Sequence, residues 1–413
     1  MIHKLRKIIS SSTSRDTLIS FVGLGTISVV GMLFTVLTAR AFGPEGLGLF
    51  AALNALVTLL AGVGDMGLSS ALVNFLPKFR DDRKTLISVT FWFQIASAFF
   101  LTLLLILTSL FHRQIIPGSN ISQFFLIALL TGTYVLQGFA LGVFNADKKF
   151  LHGSILQGSD SILKLIFVAV LIYTSHLSIE LALLANIISC SVSLLFGFRT
   201  EFNNIRLIFP RHQLKTILSF SKWIALSRVF GVMVSRIDVL LLNLLSGAYA
   251  TGLFAAASRI SLFFALLVSS IGSVTAPRFS SFSNKTEIRS YFYKVLYLVG
   301  GISLLMLSST ILAGPLVLFV FGNEFLPAVP VFRAITIAMI PFLLSVAITN
   351  PLVYSFNQPH FLARITIIQV ISIVILDVLL IPRFSAMAPA ISLGITNTLI
   401  LILSGIKLHK LLS

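Results

Sequence analysis

The chain has little of the chemistry that enzymes and metal proteins depend on. It contains one cysteine, Cys190, so neither a disulfide within the chain nor a cysteine-ligated metal contributes to its structure. Its seven histidines are scattered. We find no metal-ligand spacing, nucleophile elbow or phosphate-binding glycine loop. The connections between apolar runs are also too short to hold the polar domain of a membrane enzyme. The sequence therefore predicts a protein that is not an enzyme and has no cofactor or metal.

Charge is also scarce, at 10% of residues, whereas hydrophobic residues make up 57% and the mean hydropathy is +1.02. So few polar residues cannot coat a soluble domain. A helix crosses the hydrocarbon core with about 20 residues. The sequence predicts an all-α polytopic membrane protein with about twelve spans, which we place at 17–39, 46–76, 85–111, 121–144, 159–174, 178–198, 217–245, 250–277, 291–313, 328–354, 361–381 and 386–406.

The net charge of +17 is explained by membrane topology. With the N-terminus in the cytoplasm, most of the 30 Lys and Arg residues fall in cytoplasmic connections, and only Arg40, Arg113 and Arg383 lie on the opposite side. This is the positive-inside distribution. We expect no nucleic-acid partner, both termini in the cytoplasm and a first span that acts as an uncleaved anchor.

One stretch of the sequence occurs twice. The pentapeptide GLFAA begins at Gly48 and again at Gly252, and PKF at Pro77 returns as PRF at Pro277. The spacing indicates two related halves of about 200 residues. An even number of spans in each half gives parallel repeats around a central cavity, related by an axis along the membrane normal. The predicted organisation is a basic cytoplasmic tail at 1–16, a six-helix lobe at 17–205, a linker at 206–216 and a second six-helix lobe at 217–413.

Charged residues inside spans are costly and normally face a cavity or a partner. Asp160 and Lys164 have the spacing of a helical ion pair. Asp377 lies near the outer end of its span, where water is close. Asp65 lies deeper, on a predicted polar face with Asn54 and Ser69. That face marks either a functional cavity or a hydrogen-bonded seam between helices.

The seventh and eighth spans hold the densest group of such charges. Arg228 and Arg259 both fall near the midplane, and Ser235 lies on the same face as Arg228, with Asp238 close to that face. The corresponding positions in the first half are apolar, Leu24 for Arg228 and Ala55 for Arg259. The architecture therefore does not require these charges. They predict a cationic patch for an anionic ligand, because guanidinium groups bind phosphate or carboxylate bidentately and stay charged.

Four motifs carry a resemblance to a known family. They are ARAFGPEGLGLF at Ala39–Phe50, DMGLSSAL at Asp65–Leu72, SRIDVLLL at Ser235–Leu242 with GLFAAASR at Gly252–Arg259, and FGNEFLPA at Phe321–Ala328. Together they resemble the polysaccharide flippases, for O-antigen or exopolysaccharide, of the multidrug/oligosaccharidyl-lipid/polysaccharide exporter superfamily. The match covers essentially the whole chain.

The resemblance implies a two-lobed bundle that exports undecaprenyl-diphosphate-linked oligosaccharide to the outer leaflet by alternating access. It places the protein in the inner or plasma membrane of a bacterium or archaeon, among membrane lipids, with a polysaccharide polymerase and chain-length proteins as candidate partners. The alternatives are a lipid II flippase and a cation-coupled multidrug antiporter of the same superfamily; a scaffold or membrane enzyme is a third class.

On this interpretation, Arg228 and Arg259 compensate the diphosphate near the midplane, where an unpaired anion would be prohibitively costly. Arg40, Arg236 and Arg333 lie nearer the outer face and receive the anion as the lobes invert. Asp65 and Asp238, with the polar side chains of Asn54 and Ser235, are candidates for ion coupling or for the cavity lining.

Overall fold

A computed structural model describes residues 12–79, 82–201, 205, 211–282 and 284–412, with side chains omitted at 12–22, 200–201, 211–228, 234, 267, 269, 273 and 359. In these ranges every regular element is a helix, and short 3-10 turns join some of them. The α-helices are α1 Ser12–Asp65, α2 Leu68–Phe75, α3 Arg83–Thr108, α4 His112–Ile115, α5 Ile121–Ala146, α6 Phe150–Tyr173, α7 Ile179–Glu201, α8 Arg211–Ser281, α9 Lys285–Ser309, α10 Ala313–Phe321, α11 Val329–Tyr354, α12 Pro359–Phe384 and α13 Ala388–Leu412.

Nine helical segments in the described residues are long and apolar enough to cross a membrane, which confirms the predicted fold class. Three of them, Gly23–Asp65, Ser235–Ser281 and His360–Leu412, have 43, 47 and 53 residues, about twice what one crossing needs. Each contains a break in helical geometry, at Gly43, Gly247 and Ser385 respectively. The number of twelve crossings stays a prediction.

Two predicted spans have wrong boundaries. The span 46–76 is not one helix, because Met66 and Gly67 both have positive φ, 45° and 70°, and separate α1 from α2. Gly67 suits the break between the two helices, because glycine adopts the left-handed backbone conformation at no steric cost. The fifth span was predicted from 159, but α6 begins at Phe150. Polar residues in its first turns conceal the helix, and one of them, Gln157, lines a cavity.

The described residues group into two compact units. The first unit contains Met1–Phe42 and Leu53–Arg236, and the second contains Gly43–Ala52 and Ile237–Ser413. The segment Gly43–Ala52, which starts the second half of α1, therefore packs with residues of the second unit. The predicted lobes, 17–205 and 217–413, stay a prediction.

Within the first unit, α5 lies at the centre and packs against α2, α3 and α7. Phe139 on α5 is buried with Leu72 and Ile87 from α2 and α3. On another face of α5, Phe144 packs with Leu156 and with Cys190, the single cysteine of the chain. The rigid helices around α5 hold the polar residues described below.

Within the second unit, α11 packs along α9 and α13, and α12 packs on α13. The core at one end of this group combines Val268 and Phe279 of α8, Val295 and Val299 of α9, and Leu343 of α11. Elsewhere in this unit, Gly48 and Gly252 allow two helix segments to approach more closely than such large side chains would.

The repeated pentapeptide forms a contact with its own copy in the second unit. A Cβ on Gly48 would overlap the carbonyl oxygen of Ala248, and a Cβ on Gly252 would overlap that of Pro44. Pro44 and Ala248 are themselves related by the repeat. Two helix segments thus meet backbone to backbone in a symmetric way, and only glycine leaves room for it.

We expect Gly48→Ala or Gly252→Ala to lower the free energy of unfolding by about 1–3 kcal/mol, because the backbones must separate to admit the methyl group. Thermal unfolding of the purified protein in detergent measures this. Gly300→Ala in α9 is the matched control, since no atom lies within 4 Å of its added Cβ. Equal melting temperatures for all three variants would contradict the close contact.

A charged cluster joins the connection after α5 to the start of α3. Nη2 of Arg83 donates to Oδ2 of Asp147 at 2.8 Å, and Nη1 donates to Oδ1. Nζ of Lys149 lies 3.3 Å from Oδ2 of the same carboxylate. Burial opposes the charge on Asp147, but hydrogen bonds and attraction from Arg83 and Lys149 outweigh it and hold the pKa of this carboxyl below its usual range.

Because the pKa of Asp147 is lower in the folded state, its charge stabilises the fold at neutral pH and loses that effect as the pH falls through the folded value. Asp147→Asn should cost about 1–2 kcal/mol at pH 7. The difference from wild type should shrink below about pH 4, as followed by thermal unfolding across pH. Exposed Asp82→Asn is the control, and a pH-independent difference for Asp147→Asn would contradict the assignment.

Candidate functional site

Asp65 lies at the break between α1 and α2 and is buried, with 6% of its surface exposed. Its Oδ1 accepts hydrogen bonds from the backbone N–H of Ser69 at 3.2 Å, from the hydroxyl of Ser69 and from Nε2 of Gln94 at 3.0 Å. The carboxyl group therefore bonds the first turn of α2 and also reaches α3. The predicted face of Asp65 with Ser69 on one continuous helix is wrong because the helix ends at Asp65, yet the two side chains do meet.

Asp65 lines a cavity of about 460 Å³ in the first unit. The other polar residues of the lining are hydroxyl and amide side chains from α1, α2, α5 and α6, namely Thr58, Ser69, Ser70, Tyr134, Gln137, Asn145 and Gln157. Amide and hydroxyl groups both donate and accept hydrogen bonds. A cavity with this lining can bind a neutral polar ligand that also has many hydroxyl groups.

Asp160 and Lys164 form the ion pair that their spacing predicts. Nζ of Lys164 lies 3.5 Å from Oδ2 of Asp160 and also 5.8 Å from the ring centre of Phe34. Asp160 interacts electrostatically with Tyr134, which also interacts with Arg236. The ion pair therefore belongs to the polar side of the first unit, next to the cavity.

A pair of buried carboxyl groups lies in the second unit. Asp238 of α8 is 7% exposed and Asp377 of α12 is fully buried. The two side chains are neighbours that interact with each other, and Ser392 of α13 lies beside Asp377. Asp238 Oδ1 and both oxygens of Asp377 accept no hydrogen bond from any donor in the described residues.

Two adjacent carboxylates cannot both stay charged in a dry site without compensation. A hydrogen bond between them requires a proton on one of the two, and a small cation between them would serve the same purpose. The oxygen of Ser392 is a third hard donor suited to such a cation. The pair can therefore hold a shared proton or a small cation.

The structure places the predicted cationic residues in different surroundings. Arg259 is half-buried in α8, and Arg40 is exposed in the last turn before Gly43. Arg236 is exposed and interacts with Tyr134. Arg333 is exposed and donates from Nε to the carbonyl oxygen of Thr310 at 3.0 Å, which caps the end of α9. Arg228 lies in α8, and its side chain is outside the described residues.

The two neutral polar candidates bond to their own helices. Asn54 is half-buried, and its carbonyl oxygen accepts from Thr58 Oγ1 at 2.9 Å. Ser235 is exposed and donates to the carbonyl of Val232 at 2.9 Å. Ser235 and Asp238 were predicted to lie close to one face of the same helix. The neighbour of the Asp238 side chain is instead Asp377.

Sequence reasoning missed Asp377 as a member of the site. The expectation that water is close to Asp377 is wrong, because α12 continues almost two turns beyond it to Phe384 and its side chain is fully buried. The signal available in the sequence was a carboxylate within an apolar helix, where a charged residue is costly and usually functional. Tyr134 and Gln137 gave no signal of this kind, since neutral polar residues on a helix are common at helix contacts.

Solved structures of membrane transporters share this fold. A multidrug resistance transporter of the MATE family, described as inward-facing, matches with a TM-score of 0.74 at 15% identity, over 95% of this chain and 98% of its own. The lipid II flippase MurJ, described as inward closed, matches with a TM-score of 0.75 at 16% identity, over 94% and 87%. At these identities the matches show that the chain has the helical membrane fold of these transporters.

The family model described as polysaccharide biosynthesis protein matches residues 14–283, and the chain belongs to this family. A Shigella flexneri protein named as an O-antigen transporter is 25% identical over 301 residues, 69% of this chain and 71% of its own. The capsular polysaccharide biosynthesis protein CapF of Staphylococcus aureus is 21% identical over 299 residues, 70% of this chain and 74% of its own. The resemblance inferred from the motifs is confirmed.

Proposed function

We propose that this protein flips an undecaprenyl-diphosphate-linked oligosaccharide from the cytoplasmic to the outer leaflet during surface polysaccharide biosynthesis. The observation that carries the proposal is membership of the polysaccharide biosynthesis family, with relatives named for O-antigen transport and for capsule biosynthesis. The lipid II flippase and multidrug transporters share the fold at identities too low to extend their substrates to this chain.

The proposed substrate has two chemically different parts, and the protein offers a suitable environment for each. The diphosphate is anionic and needs cations where it leaves water, a role we assign to Arg228 and Arg259. The glycan is rich in hydroxyl groups. The cavity beside Asp65, with its tyrosine and amide side chains, suits such a ligand.

We infer that transport proceeds by alternating access, with the lobes 17–205 and 217–413 rocking about an axis along the membrane normal. The internal repeat supports this, and so does the symmetric contact of Gly48 with Gly252. The tail 1–16, the linker 206–216 and both termini lie in the cytoplasm, as the basic residues favour. The protein works in the plasma membrane, where a polymerase and chain-length proteins extend its product.

The buried acid pair is the part of the protein best suited to ion coupling. Binding of a proton or a small cation at Asp238 and Asp377 changes the charge of a dry site. Such a change alters the relative stability of two arrangements of packed helices if the site differs between them. We assign the coupling to this pair, whereas Asp65 has a helix-capping role with hydrogen bonds to Ser69 and Gln94.

Arg228→Ala and Arg259→Ala should each lower surface polysaccharide by about tenfold or more, because each removes charge-assisted hydrogen bonds to the diphosphate. The measurement is polysaccharide accumulation in a host that lacks its own flippase, at matched membrane levels of each variant. Arg113→Ala is the control, since it removes an exposed cation at the opposite face. Normal export by both variants would exclude the cationic patch, and failure of the wild type would reject the substrate.

Asp238→Asn and Asp377→Asn should abolish the dependence of transport on an ion gradient, since neither an amide pair nor an acid–amide pair binds a cation or exchanges a proton as the acids do. Acceleration of transport by the gradient is measured with purified protein in liposomes under imposed proton or sodium gradients. Asp82→Asn is the control. Acceleration retained in both pair variants would place coupling elsewhere.

A further inference from the structure

A basic groove lies where α8 ends and α9 begins, in the second unit. It is a cavity of about 430 Å³ lined by one face of each helix. The face of α8 contributes Val274, Thr275 and Arg278, and the face of α9 contributes Tyr291 and Lys294. Neither the transport mechanism above nor the family motifs assign a role to this groove.

Two cations lie at the mouth of the groove without an acidic partner. The guanidinium carbon of Arg278 lies 5.8 Å from the centre of the Tyr291 ring, so the ring holds the arginine in place. Lys294 lines this groove and also a neighbouring cavity of about 390 Å³ to which Glu287 contributes. Among the described residues, no carboxylate lies within salt-bridge distance of Arg278 or Lys294.

The repeat shows that this arrangement is particular to the second half. Arg278 corresponds to Lys78, which donates to Oδ1 of Asn74 at 2.7 Å at the end of α2. The cation of the first half is thus hydrogen bonded to a side chain in the last turn of α2. Arg278 instead is exposed at the mouth of a cavity.

Apolar side chains extend from the cations along the groove. Val274 and Leu298 are 59% and 56% exposed and line opposite walls. Further along α8, Leu266 and Phe263 are also exposed, and Arg259 is half-buried. Arg278 and Arg259 lie about 28 Å apart along the helix axis at 1.5 Å per residue.

We propose that this groove is the entry site for the lipid carrier, where Arg278 and Lys294 hold the diphosphate of a polyprenyl diphosphate while its chain lies against Val274 and Leu298. A dianionic headgroup matches two unpaired cations, and an isoprenoid chain matches the apolar walls. The inference rests on the proposed function, because it concerns the substrate of that transport.

A photo-crosslinker at position 298 detects the contact between the lipid chain and the groove directly. The full-length protein with p-benzoylphenylalanine in place of Leu298, in phosphatidylcholine nanodiscs, is irradiated with labelled undecaprenyl diphosphate. We expect a labelled adduct that falls about tenfold when Arg278→Gln and Lys294→Gln are combined. Lys78→Gln, the repeat-related control, should leave the adduct unchanged. The same crosslinker at Leu305, exposed on α9 outside the groove, measures non-specific lipid contact.

Three results would overturn the proposal. They are an adduct unaffected by the double variant at matched melting temperature, equal competition by phosphatidylglycerol, and equal competition by inorganic diphosphate. The second would show a general anionic-lipid site and the third a site for a soluble anion. Export is not needed for crosslinking. A wild type that fails to export yet crosslinks would therefore reject the proposed function alone, and one that exports without crosslinking would reject the groove alone.

Discussion

The cost of a polar group without a partner in hydrocarbon is the constraint on which this structure depends. Every backbone group in the membrane must bond within a helix, so the described chain is helical apart from short turns. Polar side chains follow the same constraint. Asp65 accepts hydrogen bonds from three donors, and Asp160 forms an ion pair with Lys164. The acid pair in the second unit differs, since neither Asp238 nor Asp377 has a cationic partner in the described residues. This is the reason for assigning the proposed ion coupling to that pair.

The two halves of the repeat share their backbone and differ in their polar chemistry. They retain the glycine contact at Gly48 and Gly252, because the close approach of two backbones tolerates no other residue. Two of the buried or half-buried charges, in contrast, have no charged counterpart. Arg259 and Asp238 stand where the first half has Ala55 and Phe34. A duplicated scaffold of this kind allows the amide-rich cavity in one unit and the buried acid pair in the other.

Predictions from the sequence succeeded where a pattern is periodic and failed where the chain departs from periodicity. Long apolar runs identified the membrane fold, and i, i+4 spacing identified the ion pair of Asp160 with Lys164. The helix break at Met66 and Gly67 was not predicted, because a single glycine within an apolar run is not enough to predict a residue with left-handed backbone conformation. The partnership of Asp238 with Asp377 was missed for a different reason, since the two lie in separate helices far apart in sequence.

The sequence by itself determined that the protein lies in a membrane, that it is helical, that it contains an internal repeat and which family it belongs to. Each depends on composition or on residues close together in the chain, and the bilayer permits few folds for such a composition. Only the tertiary structure decided which polar residues meet. Asp377 of α12 lies beside Asp238 of α8 and Ser392 of α13, on three different helices, and Arg278 of α8 lines one groove with Lys294 of α9. Side-chain contacts between helices depend on packing geometry, which no local pattern encodes.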